Sequence, residues 1–231
     1  MKEPRVRISP RISVNGLAEY LIAGAARRRR IVQEQKRPKN YQAPYYTDAE
    51  EAIVRFLASP ERNFAVLDQA AAKLREVEVV SRRVEWEITR RAACTEALQA
   101  FRNLAAGDLF AGLAVTRAPQ SPRLLQLGGV GVSVRPEILL ASSDAEPRLG
   151  GAKLFFSKNE ALTEDRALYA GTILHQYLEA QQQRAGRVDY RHCLVIDVFT
   201  QKVFAAPRTY KRRRADIEAA CLEITLAWET A

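Results

Sequence analysis

Two clusters of basic residues carry the most legible chemistry along these 231 residues. Arg27, Arg28, Arg29 and Arg30 run consecutively and are followed by Lys36, Arg37 and Lys39. Lys211, Arg212, Arg213 and Arg214 form a second run, with Arg208 just after Pro207. A guanidinium meets phosphate oxygens bidentately, and a dense cluster releases the counterions condensed on a nucleic-acid backbone. The net charge of +9 is concentrated: residues 1–40 hold eleven Lys or Arg against Glu3, Glu19 and Glu34, a net of +8. Nucleic acid is therefore the expected partner, gripped through its backbone with little sequence information. The competing reading is that the runs are solvated helix faces, or pair with acids on a protein partner. An anionic membrane is not expected, because the apolar face beside the first run is rich in Ala and Gly and has no Trp or Phe anchor.

Other chemistries lack their residues. Cys94, Cys193 and Cys221 are widely spaced, and His175 and His192 give no HxxxH, so no structural zinc is expected and the thiols read as reduced core residues. No GxSxG, GxxxxGK[ST] or GxGxxG is present, which disfavours a hydrolase triad and the common nucleotide loops. No apolar run approaches the roughly 18 residues of a membrane helix, and the first residues lack the apolar stretch of a signal peptide. The expectation is a soluble, cytoplasmic protein. Hydrophobic residues at 47% with 27% charged rule out disorder along the whole chain.

The elements that must position these residues are mostly helical in the first half. Ser13 can cap a helix through Leu17, Tyr20 and Leu21, continuing through the arginine run to Val32 until Pro38 stops it. KRPKNYQAPYY reads as an extended connector whose Tyr41, Tyr45 and Tyr46 either stack on bases or pack the connector onto the fold. Thr47 or Asp48 opens a helix ended by Ser59-Pro60, a further helical tract carries Leu67 and Leu74, and a long helix spans about 81–106. After Gly107, LLQLGGVGVSVRPEILLAS reads as two strands and AKLFFS as a third. Thr163 opens a helix closed by Gly186, CLVIDVF and KVFAAP read as strands, and Asp216 begins the last helix. The expected division is a basic helical region over 1–80 and an α/β or α+β core over 81–231.

The order from residue 81, helix, three strands, helix, two strands and a closing helix, resembles the core of the PD-(D/E)XK nuclease superfamily, which includes RecB-type and Cas4 nucleases. In that family the second strand supplies an acid, often after proline, and the third an acid and a lysine two residues apart. Pro136-Glu137 and Gly151-Ala152-Lys153 match this pattern except that Gly151 stands where the family has its second carboxylate. The resemblance implies Glu137 as a metal ligand and Lys153 as the lysine that assists the attacking water. It also implies Mg²⁺ as cofactor, because phosphodiester hydrolysis uses a divalent ion to neutralise the phosphate and acidify water. The missing acid would come from the preceding helix, Glu85 or Glu87, or from the turn, Asp144 or Glu146; Glu87 is taken with Glu137 and Lys153 as the catalytic set. The QxxxY signature of the Cas4 and RecB branches is missing from YAGTILHQYLEAQ.

Three functional outcomes stay open. One is a Mg²⁺-dependent nuclease, with DNA expected ahead of RNA. Another is a degenerate relative that binds nucleic acid without cutting. The third is a non-enzymatic basic subunit whose partner is a protein, a ribonucleoprotein or a second copy of the chain. Asp197, in the middle of an apolar strand, is expected to find an arginine or a backbone hydrogen bond rather than to act in catalysis. His175 and His192 are expected to be structural.

Overall fold

The computed structural model describes residues 6–38, 45–76, 84–105, 107, 109–120, 124–158, 160–181 and 186–231. Among them the order is β1 (Arg11–Ser13), α1 (Val14–Ile22), α2 (Ala25–Lys36), α3 (Thr47–Ala58), α4 (Ala65–Glu76), α5 (Val84–Ala105), β2 (Leu113–Arg117), β3 (Leu125–Leu127), β4 (Val130–Ser133), β5 (Ile138–Ser142), β6 (Arg148–Phe155), α6 (Glu164–Ala180), β7 (Arg187–Asp197), β8 (Lys202–Ala205) and α7 (Tyr210–Thr230). This is an α+β fold with mixed sheets. The main sheet has the order β2-β5-β6-β7-β8. β5 runs antiparallel to β2 and β6, β7 runs parallel to β6, and β8 returns antiparallel. A parallel neighbour needs a crossover connection, and α6 supplies it between β6 and β7.

The main sheet is buried on both faces, as its apolar runs require. Ile138, Leu140, Ala152, Leu154, Leu194 and Ile196 point into a cluster shared with α3, α4 and α5. Phe155, Cys193 and Val195 point the other way, into a cluster with α1, α6, α7 and a small sheet of order β1-β4-β3. Residues from the first eighty contribute to both clusters, and the expected boundary near residue 80 lies outside the described residues. No helix among the described residues is long and apolar enough to cross a membrane.

Locally encoded features appear where the sequence places them. Ser13 caps α1 by accepting from the Gly16 N–H at 3.1 Å, Thr163 caps α6 by accepting from Arg166, and Ser59 ends α3. Cys94, Cys193 and Cys221 are buried free thiols. Asp197 accepts from the backbone N–H groups of Leu162 (2.9 Å) and Thr200 (3.2 Å), so it ties the loop before α6 to the end of β7. Tyr46 stacks on Phe156 with ring centroids 5.1 Å apart, and Tyr45 meets Trp86 edge-on, so these two tyrosines pack the chain onto the fold. Tyr41 and the connector residues 39–44 lie outside the described residues.

Three sequence expectations change. The single helix expected from Ser13 to Val32 is two, because Ala23 and Gly24 are both extended. The stretch expected to form two strands forms three, and the β3–β4 hairpin leaves the main sheet to pair with β1. The place beside β5 is taken by β2, a strand that sequence reading missed. The hairpin turns at Gly128 (φ +49°) and Gly129 (φ +82°), the left-handed pair that a two-residue turn needs. Both glycines also seat against α7, where the Thr225 hydroxyl donates to the Gly128 carbonyl at 2.8 Å. Finally, α7 starts at Tyr210 rather than Asp216. Four basic residues follow Tyr210 without a side-chain cap, a charge pattern that opposes the helix dipole and hides the true start.

Candidate functional site

The strand register brings Glu137 and Lys153 together. Ile138 pairs with Ala152, so the residue before β5 faces Lys153 of β6. The Glu137 N–H donates to the Ala152 carbonyl at 3.0 Å, and its carbonyl accepts from Ala118, which locks the backbone on both sides. The Glu137 carboxylate accepts from Lys153 Nζ through one oxygen and from the Leu154 N–H at 2.6 Å through the other. The two side chains are only 4% and 14% exposed. Burial pushes the Glu137 carboxyl above its usual range against the pull of Lys153 and the Leu154 N–H; Glu50, on the first turn of α3, adds a like charge in the same direction.

The arrangement does not fit a divalent cation. Mg²⁺ takes one or two carboxylates together with waters and phosphate oxygens in an octahedral shell. Both Glu137 oxygens are committed, and no group of three His, Cys, Asp or Glu among the described residues converges as a metal site. Gly151 lies opposite Leu139 on β5, and a Cβ built there would come within 2.9 Å of the Ile138 carbonyl. A carboxylate at this position therefore requires β5 to move. The remaining candidate acids are engaged elsewhere. Glu87 holds Arg90 at 2.8 and 3.0 Å and Arg91 at 2.9 Å, which pulls its carboxyl down to about 2. Arg90 also meets Asp48 at 2.7 Å, so Glu87 braces α5 against α3. Glu85 is exposed on the first turn of α5. Asp144 and Glu146 follow the end of β5, whereas Glu137 precedes its start.

The arginine run is largely occupied within the chain. Arg27 meets Glu19 at 2.6 Å and Glu34 at 3.1 Å, and Arg30 meets Glu34 at 3.0 Å. Arg28 folds back to donate to the Tyr20 and Leu21 carbonyls (3.0 and 3.3 Å), capping the last turn of α1, and reaches Glu223 on α7 at 3.5 Å. Lys36 donates to the Trp228 carbonyl at 2.6 Å and Arg37 to Ala231 at 3.5 Å, so α2 is strapped to the end of α7. Arg29 is exposed with no partner among the described residues, and Lys39 lies outside them. In the second cluster, Arg213 meets Asp165 at 3.1 Å and covers Tyr169, while Arg214 meets Glu179 at 2.6 Å. Arg208, Lys211 and Arg212 are exposed, with no side-chain partner among the described residues.

Compared with protein-family models and with curated proteins, the chain matches none. Its site must be read from geometry. A feature that sequence reading missed is an open cleft of about 980 Å³ at the starts of β6 and β7, closed on its helical side by α6 and α7. Tyr190 and Tyr210 both line it, neighbouring rings with centroids 6.2 Å apart. His175, only 2% exposed, lies 4.5 Å from the Tyr210 ring. Arg214 donates to His175 Nδ1 at 2.7 Å, which leaves the imidazole proton on Nε2, 3.7 Å from Glu179. Burial, with Arg214 acting in the same direction against Glu179, lowers the His175 pKa and keeps the ring neutral. The available signal was the concentration of charged and aromatic residues in RVDYRH at the start of β7.

Proposed function

We propose that this chain is a nucleic-acid-binding protein on a PD-(D/E)XK-like scaffold whose cutting corner has become a structural ion pair. The sheet order β2-β5-β6-β7-β8, with α6 crossing between β6 and β7, supports the scaffold resemblance. The commitment of both Glu137 oxygens and the crowding at Gly151 support binding without hydrolysis. The observation that carries binding is the cationic start of α7. Arg208, Lys211 and Arg212 sit exposed beside a helix N-terminus, where they oppose the dipole and one another with no carboxylate opposite among the described residues. Such an arrangement costs stability in isolation, and a polyanion relieves it.

The test is binding of labelled single- and double-stranded DNA and RNA across a salt series, with Mg²⁺ or Mn²⁺ present or absent and cleavage read in the same samples. Binding should weaken with salt, and Lys211→Glu with Arg212→Glu should lower the salt slope by about two. No metal-dependent cutting is expected. Binding that is absent or indifferent to salt overturns the reading and transfers the basic face to a protein partner. Cutting that depends on Mg²⁺ and disappears in Glu137→Ala overturns the non-cutting half and restores the metal site implied by the resemblance.

A further inference from the structure

The cleft between α6, α7 and the starts of β6 and β7 has no part in the Glu137–Lys153 corner. Arg148, one of its lining residues, precedes Lys153 on β6 by five positions, ~16 Å along an extended strand. Its volume of about 980 Å³ is at the upper end for a small-ligand site, and its lining is mostly charged and aromatic, with Ala145, Pro147 and Val188 as the aliphatic members. Three kinds of group line it. Arg187 is exposed without a side-chain partner among the described residues. Arg148 forms loose ion pairs with Asp144 and Asp189 at 3.8 Å each, and Arg191 meets Asp189 at 3.5 Å while its guanidinium lies 5.6 Å from the Tyr190 ring, so both hold further donors for a ligand. Tyr190 and Tyr210 present aromatic surface, with Tyr210 held by His175 on α6 and by the Arg214 guanidinium 4.8 Å from its ring. Asp144 and Glu146, on the turn before β6, together with Glu179 and Asp189, supply acceptors.

This combination matches one ligand chemistry. Phosphate suits the guanidiniums, a planar base suits the tyrosines, and the exocyclic amines or sugar hydroxyls of a nucleotide suit the carboxylates. The unpartnered cations Arg208, Lys211 and Arg212 adjoin Tyr210 in sequence, so a strand leaving the cleft meets further positive charge. We propose that the cleft lined by Tyr190, Tyr210, Arg187 and Arg191 binds an unpaired nucleotide, the backbone of its strand continuing over the start of α7. The proposal rests on the nucleic-acid reading above and adds to it a location and a substrate class. A duplex cannot offer the same contact, because its bases are stacked and paired.

The test compares a short labelled single strand, its duplex and a nucleoside 5′-monophosphate, on the native chain and on Tyr190→Ala, Tyr190→Phe, Arg187→Ala and the control Lys73→Ala, on α4 at the opposite face of the main sheet. Tyr190→Ala should weaken single-strand binding by roughly 5- to 150-fold and leave duplex binding unchanged. Tyr190→Phe, which keeps the ring, should bind like the native chain and guards against loss of fold in the alanine variant. Arg187→Ala should lower the single-strand salt slope by about one, and Lys73→Ala should not. Competition by the monophosphate at an affinity equal to that of the strand marks a free nucleotide as the ligand; much weaker competition marks the strand. A native chain that binds single strand while both Tyr190→Ala and Arg187→Ala bind it equally well overturns the cleft and leaves the nucleic-acid reading standing. A native chain that binds no nucleic acid in any form overturns that reading first.

Discussion

Glu137→Leu removes the counter-charge of a lysine whose side chain is 14% exposed and strips the Leu154 N–H of its acceptor. Breaking a buried ion pair from one side costs about 3–5 kcal/mol, because the remaining charge stays desolvated. In a chain of this length each kcal/mol lowers Tm by about 2–4 °C, so the variant should melt about 6–20 °C below the native protein. Lys153→Met keeps the side-chain stem and removes only the cation. Glu137, already pushed upward by burial, then takes up a proton and becomes neutral, which limits the loss to about 1–3 kcal/mol. The sign of the pH dependence follows: a carboxyl whose folded pKa is raised binds protons more tightly in the folded state, so Lys153→Met should gain stability as pH falls through that raised value and lose it as pH rises. The double variant Glu137→Leu with Lys153→Met has no buried charge left and should lie within about 2 kcal/mol of native, an interaction energy of at least about 2 kcal/mol. Urea unfolding followed by the fluorescence of Trp86 and Trp228 measures all four corners of the cycle. Single losses below about 1 kcal/mol that simply add would mean the pair behaves as an exposed one, and stabilisation by Glu137→Leu would mean the carboxylate is retained at a cost for chemistry; either result refutes the structural reading.

Three further outcomes follow from the same geometry. Gly151→Asp, which completes the acid–x–Lys pattern, should destabilise the chain by about 1–3 kcal/mol through the approach to the Ile138 carbonyl and gain no Mg²⁺-dependent cleavage, as thermal unfolding and a nicking assay would report. Glu87 has a folded pKa of about 2 against 4.5, so its stabilisation is fully present above about pH 4.5 and is lost as pH falls toward 2; urea midpoints of Glu87→Gln should therefore be flatter across that window than those of the native chain. Within the arginine run, Arg28→Ala should cost about 1 kcal/mol by uncapping α1, whereas Arg29→Ala should stay within about 0.5 kcal/mol of native in the same denaturation experiment.

Features that depend on neighbours within a few residues were legible in the chain before any fold was known. The caps at Ser13 and Thr163, the stop at Ser59-Pro60, the long helix that became α5 and the apolar strand through Asp197 are of this kind, because capping, periodicity and proline sterics act over one or two turns. Asp197 was also legible as structural, since a carboxylate centred in an apolar strand must find donors, and it finds two backbone N–H groups.

Tertiary structure alone decided which strand lies beside which. LAVTR is half-exposed and became a strand of the main sheet, while the more apolar LQLGGVGVS was drawn to β1 by a pairing partner over a hundred residues away. It also decided which cations are free. Arg28 and Arg29 are adjacent and chemically identical, yet one caps a helix and grips α7 while the other faces solvent, because a sharp bend at Ala23-Gly24 turns only one of them back onto α1. The pairing of Glu137 with Lys153 was readable from a motif; its sealing was not, since that depends on β5, β6 and the Leu154 N–H meeting in register. The cleft was the least legible feature: its residues come from β6, β7, α6 and α7, segments whose spacing in sequence carries no information about their distance in space.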